Sequence, residues 1–540
     1  MRSGFAVKRT AAAPFSVKSV QLGAVSSMLK TIRLERITKR FPGVLACDDV
    51  SLTIRPGIVH AIVGENGAGK STLMGILAGL HQPDAGSIYI NDARVRFTSP
   101  RDAVAKGIGM VYQEFMLVRS LTAVDNIILG FEPTRFSYIS RDEALRRIQE
   151  LMELHGISVP LDQPVGRLPV SQQQQVEILK ALYRGADLLI LDEPTSVLTP
   201  QETQGLFRAI PELIKKGKSV IFISHKLPEV LQIADTITVM RDGRVVGSVD
   251  RDAATERQLA RMMVGRDIQL DFAPPEATAD KAILQVRDLT VIDPRRGTTV
   301  VDGVSLAVRA GEIVGIAGVS GNGQNELVEA IVGLRKPASG TIKLRDRDIT
   351  FTSAGQRRWL GMRYIPQDRA WVGSCRTASL WKNLLMGYQY RQSLANGIFL
   401  NEASVRDFAR FLVERFSVKA ASIDVDAGTL SGGNLQKAIV ARELAETPQV
   451  LIAEDPTRGI DIGATEFVRG QILEVAKKGG AVLLISGDLQ EIMSMSTRVL
   501  VMYRGRVVGE KVPSETSEEE FGLLMAGHSS AGTSEGTDSE

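Results

Sequence analysis

The chain has 540 residues, too many for one hydrophobic core of ordinary size, so we expect at least two domains. Its 44% hydrophobic and 24% charged residues are typical of a globular protein, and five His and two Cys residues exclude a disulfide framework. No apolar run approaches the roughly 18 residues that span a bilayer, and outside a basic start the chain is slightly acidic, which excludes a basic nucleic-acid-binding surface.

Residues 1–28 are basic and rich in Ala and Ser. We expect a disordered leader, or an upstream start codon with Met28 as the true first residue. A transit peptide would have a similar composition, whereas Pro14 and Lys18 interrupt the apolar core that a secretory signal requires.

A phosphate-binding loop is predicted near residue 64. The apolar run HAIVG precedes GENGAGKS, which fits G-x-x-x-x-G-K-[ST], and a helix-forming segment follows. Backbone N–H groups would hold phosphates, Lys70 would reach the β- and γ-phosphates, and Ser71 would bind Mg²⁺. The predicted nucleotide-binding residues are Gly64, Glu65, Asn66, Gly67, Ala68, Gly69, Lys70, Ser71 and Thr72.

Three further features surround this loop in the sequence. Phe41 lies 23 residues before Gly64 and is a candidate to stack on adenine, although a single Phe is often a core residue. Gln113 follows another short apolar run, and we expect it to contact a metal ion or the attacking water. Residues 118–168 contain segments such as RDEALRRIQELMELHGI and are predicted to form a helical subdomain.

Two acids end the next predicted strand, LLILDE, at residues 188–193. Asp192 is a candidate Mg²⁺ ligand, and Glu193 is a candidate to orient or deprotonate the attacking water. The alternative is a structural role at the end of a strand. His225 follows the apolar run SVIFIS and is a candidate to contact the γ-phosphate.

The second half of the chain repeats the first. VGENGAGKSTL (63–73) matches AGVSGNGQNEL (317–327), and LILDEPTS (189–196) matches LIAEDPTR (451–458). The stretch DFAPPEATAD (271–280) contains two prolines and few apolar residues, as linkers do. We therefore predict a first domain at 29–268, a linker at 269–282, a second domain at 283–527 and a disordered tail at 528–540.

The second copy of the loop lacks the lysine and the hydroxyl with which such a loop normally ends. Gln324 and Asn325 stand where the first half has Lys70 and Ser71, and Gly487 stands where it has His225. The residues that we assign to this degenerate second site are Gly318, Gly321, Gly323, Gln324, Asn325, Gln367, Glu454 and Asp455.

A second motif shows the opposite asymmetry. The second half contains LSGGN at residues 430–434, where a serine and two glycines open a helix and suit γ-phosphate binding. The first half has LPVSQ at residues 168–172, where proline removes a donor and side chains replace the glycines. The predicted nucleotide contacts of the second half are Ser431, Gly432, Gly433 and Asn434.

The order of these motifs resembles that of the ATP-binding domains of ABC transporters, in tandem over roughly residues 29–527. The resemblance implies two α/β P-loop NTPase domains, each with a mainly parallel sheet core, a β-rich edge and a helical subdomain. It also implies that ATP and Mg²⁺ lie between the domains, arranged head to tail, with the loop of one facing the LSGGQ-type signature of the other.

In that arrangement one site is complete and one is depleted. The complete site would combine the loop of the first half with the signature of the second, and every weakened motif falls in the other site. The predicted catalytic residues are Glu193, His225 and Gln113, and the predicted metal ligands are Ser71, Gln113 and Asp192.

The tandem layout resembles the ATPase subunits of sugar and nucleoside importers. GVSGNGQNEL, QQQQVEILKALYRGADLLILDEPTSVLTPQE and PTRGIDIGA resemble the nucleoside branch, and the ribose/galactose branch usually has arginine where Gln324 stands. The chain departs from the branch at Pro169, at Gly487 and at the Glu454–Asp455 pair. The resemblance implies a peripheral subunit at the cytoplasmic face of the inner membrane that binds permease subunits, which in turn receive substrate from an extracytoplasmic binding (lipo)protein, and no nucleic-acid partner.

Three alternatives stay open. The substrate could be a monosaccharide. The chain could be a tandem ABC ATPase that acts on ribosomes, although that branch usually keeps both sites complete and has a long charged linker. It could also be a nucleotide-binding scaffold without turnover, against which the intact pair of Lys70 and Glu193 argues.

Overall fold

The structure is a computed structural model that describes residues 31–527 apart from 114, 136–137, 197, 199, 268–271, 273, 275–280, 320 and 397–398. The predicted leader at 1–28 and the predicted tail at 528–540 lie outside the described residues, as does most of the predicted linker. The first strand of the second half begins at Ala282, so the linker predicted to extend through 282 ends at least one residue earlier.

The first half contains twelve strands, eight α-helices and two short 3₁₀ helices in the described residues. The strands are β1 (Ile32–Phe41), β2 (Val44–Ile54), β3 (Val59–Val63), β4 (Ala85–Ile90), β5 (Ala93–Val95), β6 (Ile108–Val111), β7 (Thr134–Arg135), β8 (Tyr138–Ile139), β9 (Leu188–Asp192), β10 (Ser219–Ser224), β11 (Thr236–Arg241) and β12 (Arg244–Asp250). The helices are α1 (Lys70–Leu77), α2 (Pro100–Val104), α3 (Ala123–Ile128), α4 (Arg141–His155), α5 (Val170–Tyr183), α6 (Pro200–Lys215), α7 (Leu227–Ile233) and α8 (Glu256–Val264).

The second half repeats this order. Its strands are β13 (Ala282–Ile292), β14 (Thr299–Arg309), β15 (Ile313–Ala317), β16 (Ser339–Leu344), β17 (Arg347–Asp348), β18 (Met362–Ile365), β19 (Ala395–Asn396), β20 (Phe399–Leu400), β21 (Val450–Glu454), β22 (Ala481–Ile485), β23 (Arg498–Tyr503) and β24 (Arg506–Lys511). Its helices are α9 (Gln324–Val332), α10 (Ala354–Trp359), α11 (Leu380–Leu385), α12 (Glu402–Arg415), α13 (Gly432–Glu443), α14 (Ile462–Lys477), α15 (Leu489–Met495) and α16 (Glu518–Met525).

Each half is built on a six-stranded sheet beside a four-stranded antiparallel one. The larger sheets have the orders β12-β11-β3-β10-β9-β6 and β18-β21-β22-β15-β23-β24, and the smaller have the orders β2-β1-β4-β5 and β14-β13-β16-β17. Within each six-stranded sheet only the edge strand β12 or β24 is antiparallel. The predicted fold, a mainly parallel core with a β-rich edge, is confirmed.

The central strands are apolar throughout because both faces of the large sheet are covered. Along β9, Leu188 and Ile190 face the core shared with the antiparallel sheet, whereas Leu189 and Leu191 face the core shared with the helices. Successive side chains of a strand point to opposite faces, so each core receives alternate residues of one continuous run. The polar residues that follow these strands lie together at the carboxyl edge of the sheet.

The predicted helical subdomain at 118–168 is confirmed with one addition. Between α3 and α4 the strands β7 and β8 form a two-stranded hairpin, and β19 and β20 form its counterpart in the second half. Strands of two residues carry no detectable alternation, so the sequence pattern did not predict them. No helix in the described part of the chain combines the length and hydropathy that a membrane span requires.

Candidate functional site

The first-half loop, residues 64–71, connects β3 to α1. Gly69 caps the helix with φ of 93°, a left-handed conformation that favours glycine, and a Cβ there would lie 2.2 Å from the Ala46 carbonyl oxygen. A Cβ on Gly64 would lie 2.3 Å from the Met240 carbonyl oxygen. The glycines are therefore needed for the close approach of backbone segments that gives the loop its shape.

Lys70 crosses this loop. Its Nζ donates hydrogen bonds to the carbonyl oxygens of Gly64 at 2.8 Å and Glu65 at 2.9 Å. Burial lowers the pKa of Lys70, while the nearby carboxylates of Glu193 and Asp192 raise it. The ammonium group thus lies where it can meet the phosphates that the loop is shaped to hold.

The predicted metal ligands Ser71 and Asp192 are brought together. The Ser71 hydroxyl donates to Asp192 Oδ1 at 3.3 Å, and burial raises the pKa of Asp192. Within the residues that the structure describes, no group of three or more His, Cys, Asp and Glu side chains could hold a metal ion. One hydroxyl and one carboxylate nevertheless fit Mg²⁺, which usually relies on one or two carboxylates, water and substrate phosphates.

Glu193 follows β9 and is held from both sides. Its Oε1 lies 3.0 Å from His225 Nδ1, and its Oε2 accepts a hydrogen bond of 3.0 Å from Gln113 Nε2. The hydrogen bond from His225 lowers the pKa of Glu193, although burial opposes this shift. The three predicted catalytic side chains therefore meet at one point, with an anionic carboxylate at its centre.

The backbone at Glu193 is unusual for a residue with a side chain. Its φ is 46°, and the equivalent Asp455 has φ of 41°. Such conformations are costly for residues other than glycine and concentrate at functional sites. Both halves therefore keep the same constrained turn after the strand that carries the acids.

Phe41, the predicted adenine-stacking residue, ends β1 and is 38% exposed. It contacts the His81 ring edge-on at a centroid distance of 5.5 Å, and Lys39 Nζ lies 5.6 Å from its ring centroid. Phe41 is therefore not a core residue, and its stacking on adenine stays a prediction.

In the second-half loop, residues 318–325 without 320, the described glycines keep conformations like those of the first. Gly323 caps α9 with φ of 98°, and Gly321 has φ of 92°. Gln324 is buried, and its amide donates to the Val319 carbonyl oxygen at 3.2 Å, much as Lys70 bonds to carbonyls of its own loop. A neutral amide replaces the ammonium group without disturbing the loop.

The remaining residues of the second site bond to one another. Asn325 Nδ2 donates to Gln367 Oε1 at 3.2 Å, and Gln367 Nε2 donates to Asp455 Oδ2 at 2.6 Å. The backbone N–H of Gly487 donates to Asp455 Oδ1 at 2.7 Å, which replaces the His225 contact of the first half. The sequence analysis assigned Asn325, Gln367 and Asp455 to the second site and placed Gly487 at the position of His225.

The sequence did not single out Tyr364, in β18, whose hydroxyl donates to buried Glu454. Burial raises the pKa of Glu454. Gln113 matches Gln367, 254 positions later, and the same offset pairs Met110 with Tyr364, so the change from an apolar to a polar residue was the available signal.

The two signature motifs begin matching helices. Ser431 caps α13, where its hydroxyl accepts a hydrogen bond from the Asn434 backbone N–H. Both polar atoms of the Asn434 side chain form hydrogen bonds within the second half. Its Nδ2 donates to Ser431 Oγ at 2.9 Å, and its Oδ1 accepts from Lys419 N at 2.8 Å. Pro169 caps α5 without any side-chain hydrogen bond.

The first-half loop contacts the second half close to its signature. Glu65 Oε1 accepts a hydrogen bond of 3.2 Å from the backbone N–H of Gly463, at the start of α14. A Cβ on Gly433 of the signature would lie 2.7 Å from Oδ2 of Asp461, which caps that helix. The loop and the signature, far apart in the sequence, therefore both lie against residues 461–463.

Other contacts support this juxtaposition. Arg266 donates to Glu466 at 2.5 Å, and Ile462 packs against the helix-side core of the first half. Burial raises the pKa of Glu65, and the carboxylate of Asp461 raises it further, while Lys419 and Lys437 lower it. Glu65 was predicted as part of the phosphate loop, and its side chain takes part in the contact between halves.

The amino-acid sequence is similar to those of known transport proteins. The family model described as "ABC transporter" matches residues 47–196 and 301–458. The chain is 43% identical to the nucleoside import ATP-binding protein NupA of Lactococcus lactis subsp. cremoris, over 92% of this chain and 98% of that protein. It is also 43% identical to the glucose import ATP-binding protein TsgD13 of Haloferax volcanii (92% and 96%) and to the guanosine import ATP-binding protein NupO of Bacillus subtilis (92% and 97%).

Proposed function

The chain belongs to the ABC transporter family, and from that membership we propose that it is the ATP-hydrolysing subunit of a nucleoside importer. The observation that carries hydrolysis is the Glu193 carboxylate, held by Gln113 and His225 close to Lys70 and Asp192. The names of the relatives support import as the process to which hydrolysis is coupled.

In the proposed reaction the first-half loop holds the ATP phosphates through its backbone N–H groups, and Lys70 neutralises the β- and γ-phosphates. Ser71 and Asp192, with Gln113, would hold Mg²⁺, which when bound neutralises charge on the transferred phosphoryl group. Glu193 accepts a hydrogen bond from the attacking water and orients it, while His225 keeps Glu193 in place and anionic.

The γ-phosphate would complete its contacts across the domain boundary. Ser431 and the N–H groups that open α13 would reach it when the halves close, because a helix N-terminus favours an anion. The contact of Glu65 with Gly463, beside Gly433 in space, supports this assignment. Hydrolysis would therefore depend on a signature that lies in the other half of the chain.

The second site is proposed to bind nucleotide weakly or to serve as structure, without hydrolysis. Gln324 offers no positive charge, and Asp455 is one methylene shorter than the glutamate of the first site. Misplacing a reacting group by about 1 Å can cost roughly 100-fold in rate. Both carboxylate oxygens of Asp455 also accept hydrogen bonds, one from the Gln367 side chain and one from the Gly487 backbone N–H.

The transported substrate is proposed to be a nucleoside rather than a monosaccharide. NupA and NupO are named for nucleoside and guanosine import, whereas TsgD13 is named for glucose import at the same 43% identity. Overall identity therefore does not separate the two classes. Gln324, where the ribose/galactose branch usually has arginine, favours the nucleoside branch.

The proposed partners are two. A permease in the cytoplasmic membrane would bind this chain at its inner face, and an extracytoplasmic binding protein would deliver the substrate to the permease. Both follow from the importer assignment of the relatives.

The test is reconstitution of the chain with its permease and binding protein in liposomes. ATP hydrolysis should rise at least severalfold with a nucleoside such as guanosine and stay near the basal rate with ribose, galactose or glucose. Stimulation by a sugar alone would overturn the nucleoside assignment. Failure of every solute to stimulate, with basal hydrolysis intact, would overturn the importer assignment.

A further inference from the structure

Arg369 lies two residues after Gln367 and is half-buried. One terminal nitrogen of its guanidinium donates to the Arg458 carbonyl oxygen at 2.6 Å, and the other donates to the Gly459 carbonyl oxygen at 3.1 Å. The donors of a guanidinium form a rigid planar fork, so two such bonds fix its orientation. Arg369 therefore joins the segment that follows β18 to the segment 455–461, which connects β21 to α14.

The same guanidinium lies beside the signature of the second half. A Cβ on Gly432, the first residue of α13, would lie 3.0 Å from Arg369 Nη2, and a Cβ on Gly459 would lie 3.4 Å from it. The first of these distances is shorter than ordinary van der Waals contact. The absence of a side chain at Gly432 therefore leaves room for the guanidinium, in addition to the predicted contact of this glycine with nucleotide.

The charge of Arg369 is unfavourably placed as long as no anion is near. The N–H groups at a helix N-terminus carry partial positive charge, so they repel a cation. Burial lowers the pKa of Arg369 and the neighbouring Arg458 lowers it further, while Asp368 raises it. An anion at the start of α13 would relieve this repulsion, and the proposed function places the γ-phosphate of ATP there.

The backbone around Arg369 is held by local hydrogen bonds. Its carbonyl oxygen accepts from the Ser374 hydroxyl at 2.7 Å. Asp368 Oδ1 accepts from the backbone N–H groups of Ala370 and Trp371, both at 2.9 Å. The guanidinium is therefore presented from a segment that is fixed on both sides of the residue.

The segment that Arg369 holds also leads to the first half. It continues into α14, where the backbone N–H of Gly463 donates to Glu65 of the first-half loop at 3.2 Å. Asp461, at the end of the segment, caps α14 and lies against Gly433 of the signature. One side chain thus contacts both the start of the signature helix and the segment that leads to the phosphate loop.

The first half lacks this arrangement. The offset of 254 that pairs Gln113 with Gln367 pairs Phe115 with Arg369, and the offset of 262 pairs Val170 with Gly432. An apolar ring thus replaces the guanidinium, and a branched side chain replaces the glycine beside it. The arginine and the glycine occur together in the half whose signature is intact.

We propose that Arg369 is a positioning residue for ATP hydrolysis, which holds the start of α13 where Ser431 and the helix N–H groups meet the γ-phosphate. This inference rests on the proposed function, in which the second-half signature serves the ATP held by the first-half loop. The signature reaches the γ-phosphate only when the halves close. Loss of Arg369 should therefore lower kcat with little effect on initial ATP binding.

The test compares the ATPase activity of the reconstituted transporter carrying variants of Arg369. Arg369→Met should lower kcat about tenfold or more, as expected for the loss of charge-assisted hydrogen bonds, while KM for ATP changes less than about twofold. Arg369→Lys should retain intermediate activity, because an ammonium group keeps the charge but lacks the planar fork. Arg410→Met is the control and should leave kcat unchanged, because its exposed ion pair with Asp407 contributes little.

Chemical rescue separates the guanidinium from a general effect on folding. Guanidinium chloride, well below the concentrations that unfold the protein, should restore part of the activity of Arg369→Ala, and sodium chloride at equal ionic strength should not. Failure of guanidinium to restore any activity would overturn the proposal, as would wild-type kcat in Arg369→Met. If Arg369→Met does not fold, wild-type kcat in Arg369→Lys would overturn it.

A double-mutant cycle tests whether Arg369 acts through the signature. Arg369→Met should cost less in a Ser431→Ala background than in the wild type, because residues that serve one site are not additive. Losses that multiply would overturn the proposal. Wild-type kcat in Ser431→Ala would overturn the shared site itself, whereas a slow Ser431→Ala beside a normal Arg369→Met would overturn the role of Arg369 alone.

Discussion

At the scale of residues, the two halves differ in how their equivalent acids are held. Glu193 is held by two side chains, Gln113 and His225. Asp455 accepts from Gln367 and from a backbone N–H, that of Gly487, which is fixed by the chain. The first arrangement suits a group that must orient water, and the second suits a structural acid.

Glu193→Gln should therefore retain ATP binding and lower kcat on the order of 100-fold, because the amide cannot accept the proton of the attacking water. The matched change Asp455→Asn should lower kcat less than about threefold. Steady-state ATPase assays and equilibrium binding of ATP to both variants provide the measurement. Wild-type turnover in Glu193→Gln would refute the catalytic assignment.

The pH dependence of hydrolysis should reveal the role of His225. Its hydrogen bond lowers the pKa of Glu193, so the carboxylate stays anionic to lower pH and loses its charge only as the pH falls through that lowered value. His225→Ala removes the largest lowering contribution, and the acidic limb of the kcat profile should move to higher pH.

The readout is kcat as a function of pH, each profile normalised to its own maximum. His225→Gln keeps a hydrogen-bond donor without a positive charge, and its acidic limb should move less than that of His225→Ala. A limb that stays in place in His225→Ala would show that His225 does not set the ionisation of Glu193.

At the scale of elements, the loop conformations are preserved where the chemistry has changed. Gly69 and Gly323 cap α1 and α9 with nearly equal φ values of 93° and 98°. Gln324 occupies its loop as Lys70 does, donating to a carbonyl of the loop. The second loop therefore keeps these capping conformations but lacks the charge of Lys70 and the hydroxyl of Ser71.

Introducing a lysine into the second loop should restore its affinity for ATP but not hydrolysis. In a Lys70→Ala background, Gln324→Lys should tighten binding of a fluorescent ATP analogue by roughly tenfold, because charge-assisted hydrogen bonds are about twice as strong as neutral ones. Hydrolysis should not return, since Asp455 keeps its short side chain and its backbone contact. Fluorescence titration and an ATPase assay give the two readouts.

Gln324→Met in the same background is the control and should not tighten binding. Unchanged affinity in Gln324→Lys would show that the second loop cannot admit phosphates at all. Restored hydrolysis would show that Asp455 is a competent base.

The sequence predicted the elements that carry strong local patterns. The run VHAIV and the glycines after it predicted β3 and the loop, because a short apolar run that ends in glycines is typical of a buried strand, and a Cβ on Gly64 or Gly69 would clash with a backbone carbonyl. The hairpin β7–β8 was missed because two-residue strands have no periodicity. The contact of Tyr364 with Glu454 was missed because it joins neighbouring strands across 90 residues of sequence.

At the scale of the whole molecule, the two halves contact each other through residues that are far apart in the sequence, so no local sequence pattern predicts these contacts. Glu65 and Gly463 are separated by 398 positions, and Arg266 pairs with Glu466. Only the resemblance to head-to-tail ATPases predicted that the first-half loop and the second-half signature share a site. The hydrogen bond from Gly463 to Glu65 supports that prediction.

The most direct test of this shared site is the ATPase activity of the reconstituted transporter carrying Ser431→Arg, compared with Pro169→Arg. Both positions cap a signature helix, but only Ser431 does so with a side-chain hydrogen bond, so thermal unfolding of both variants separates any loss of helix capping from the effect on turnover. We predict that Ser431→Arg lowers kcat on the order of 100-fold or more, as for loss of a group that stabilises transition-state charge, while Pro169→Arg lowers it less than about fivefold. The opposite order, with Pro169→Arg the more damaging change, would contradict the account.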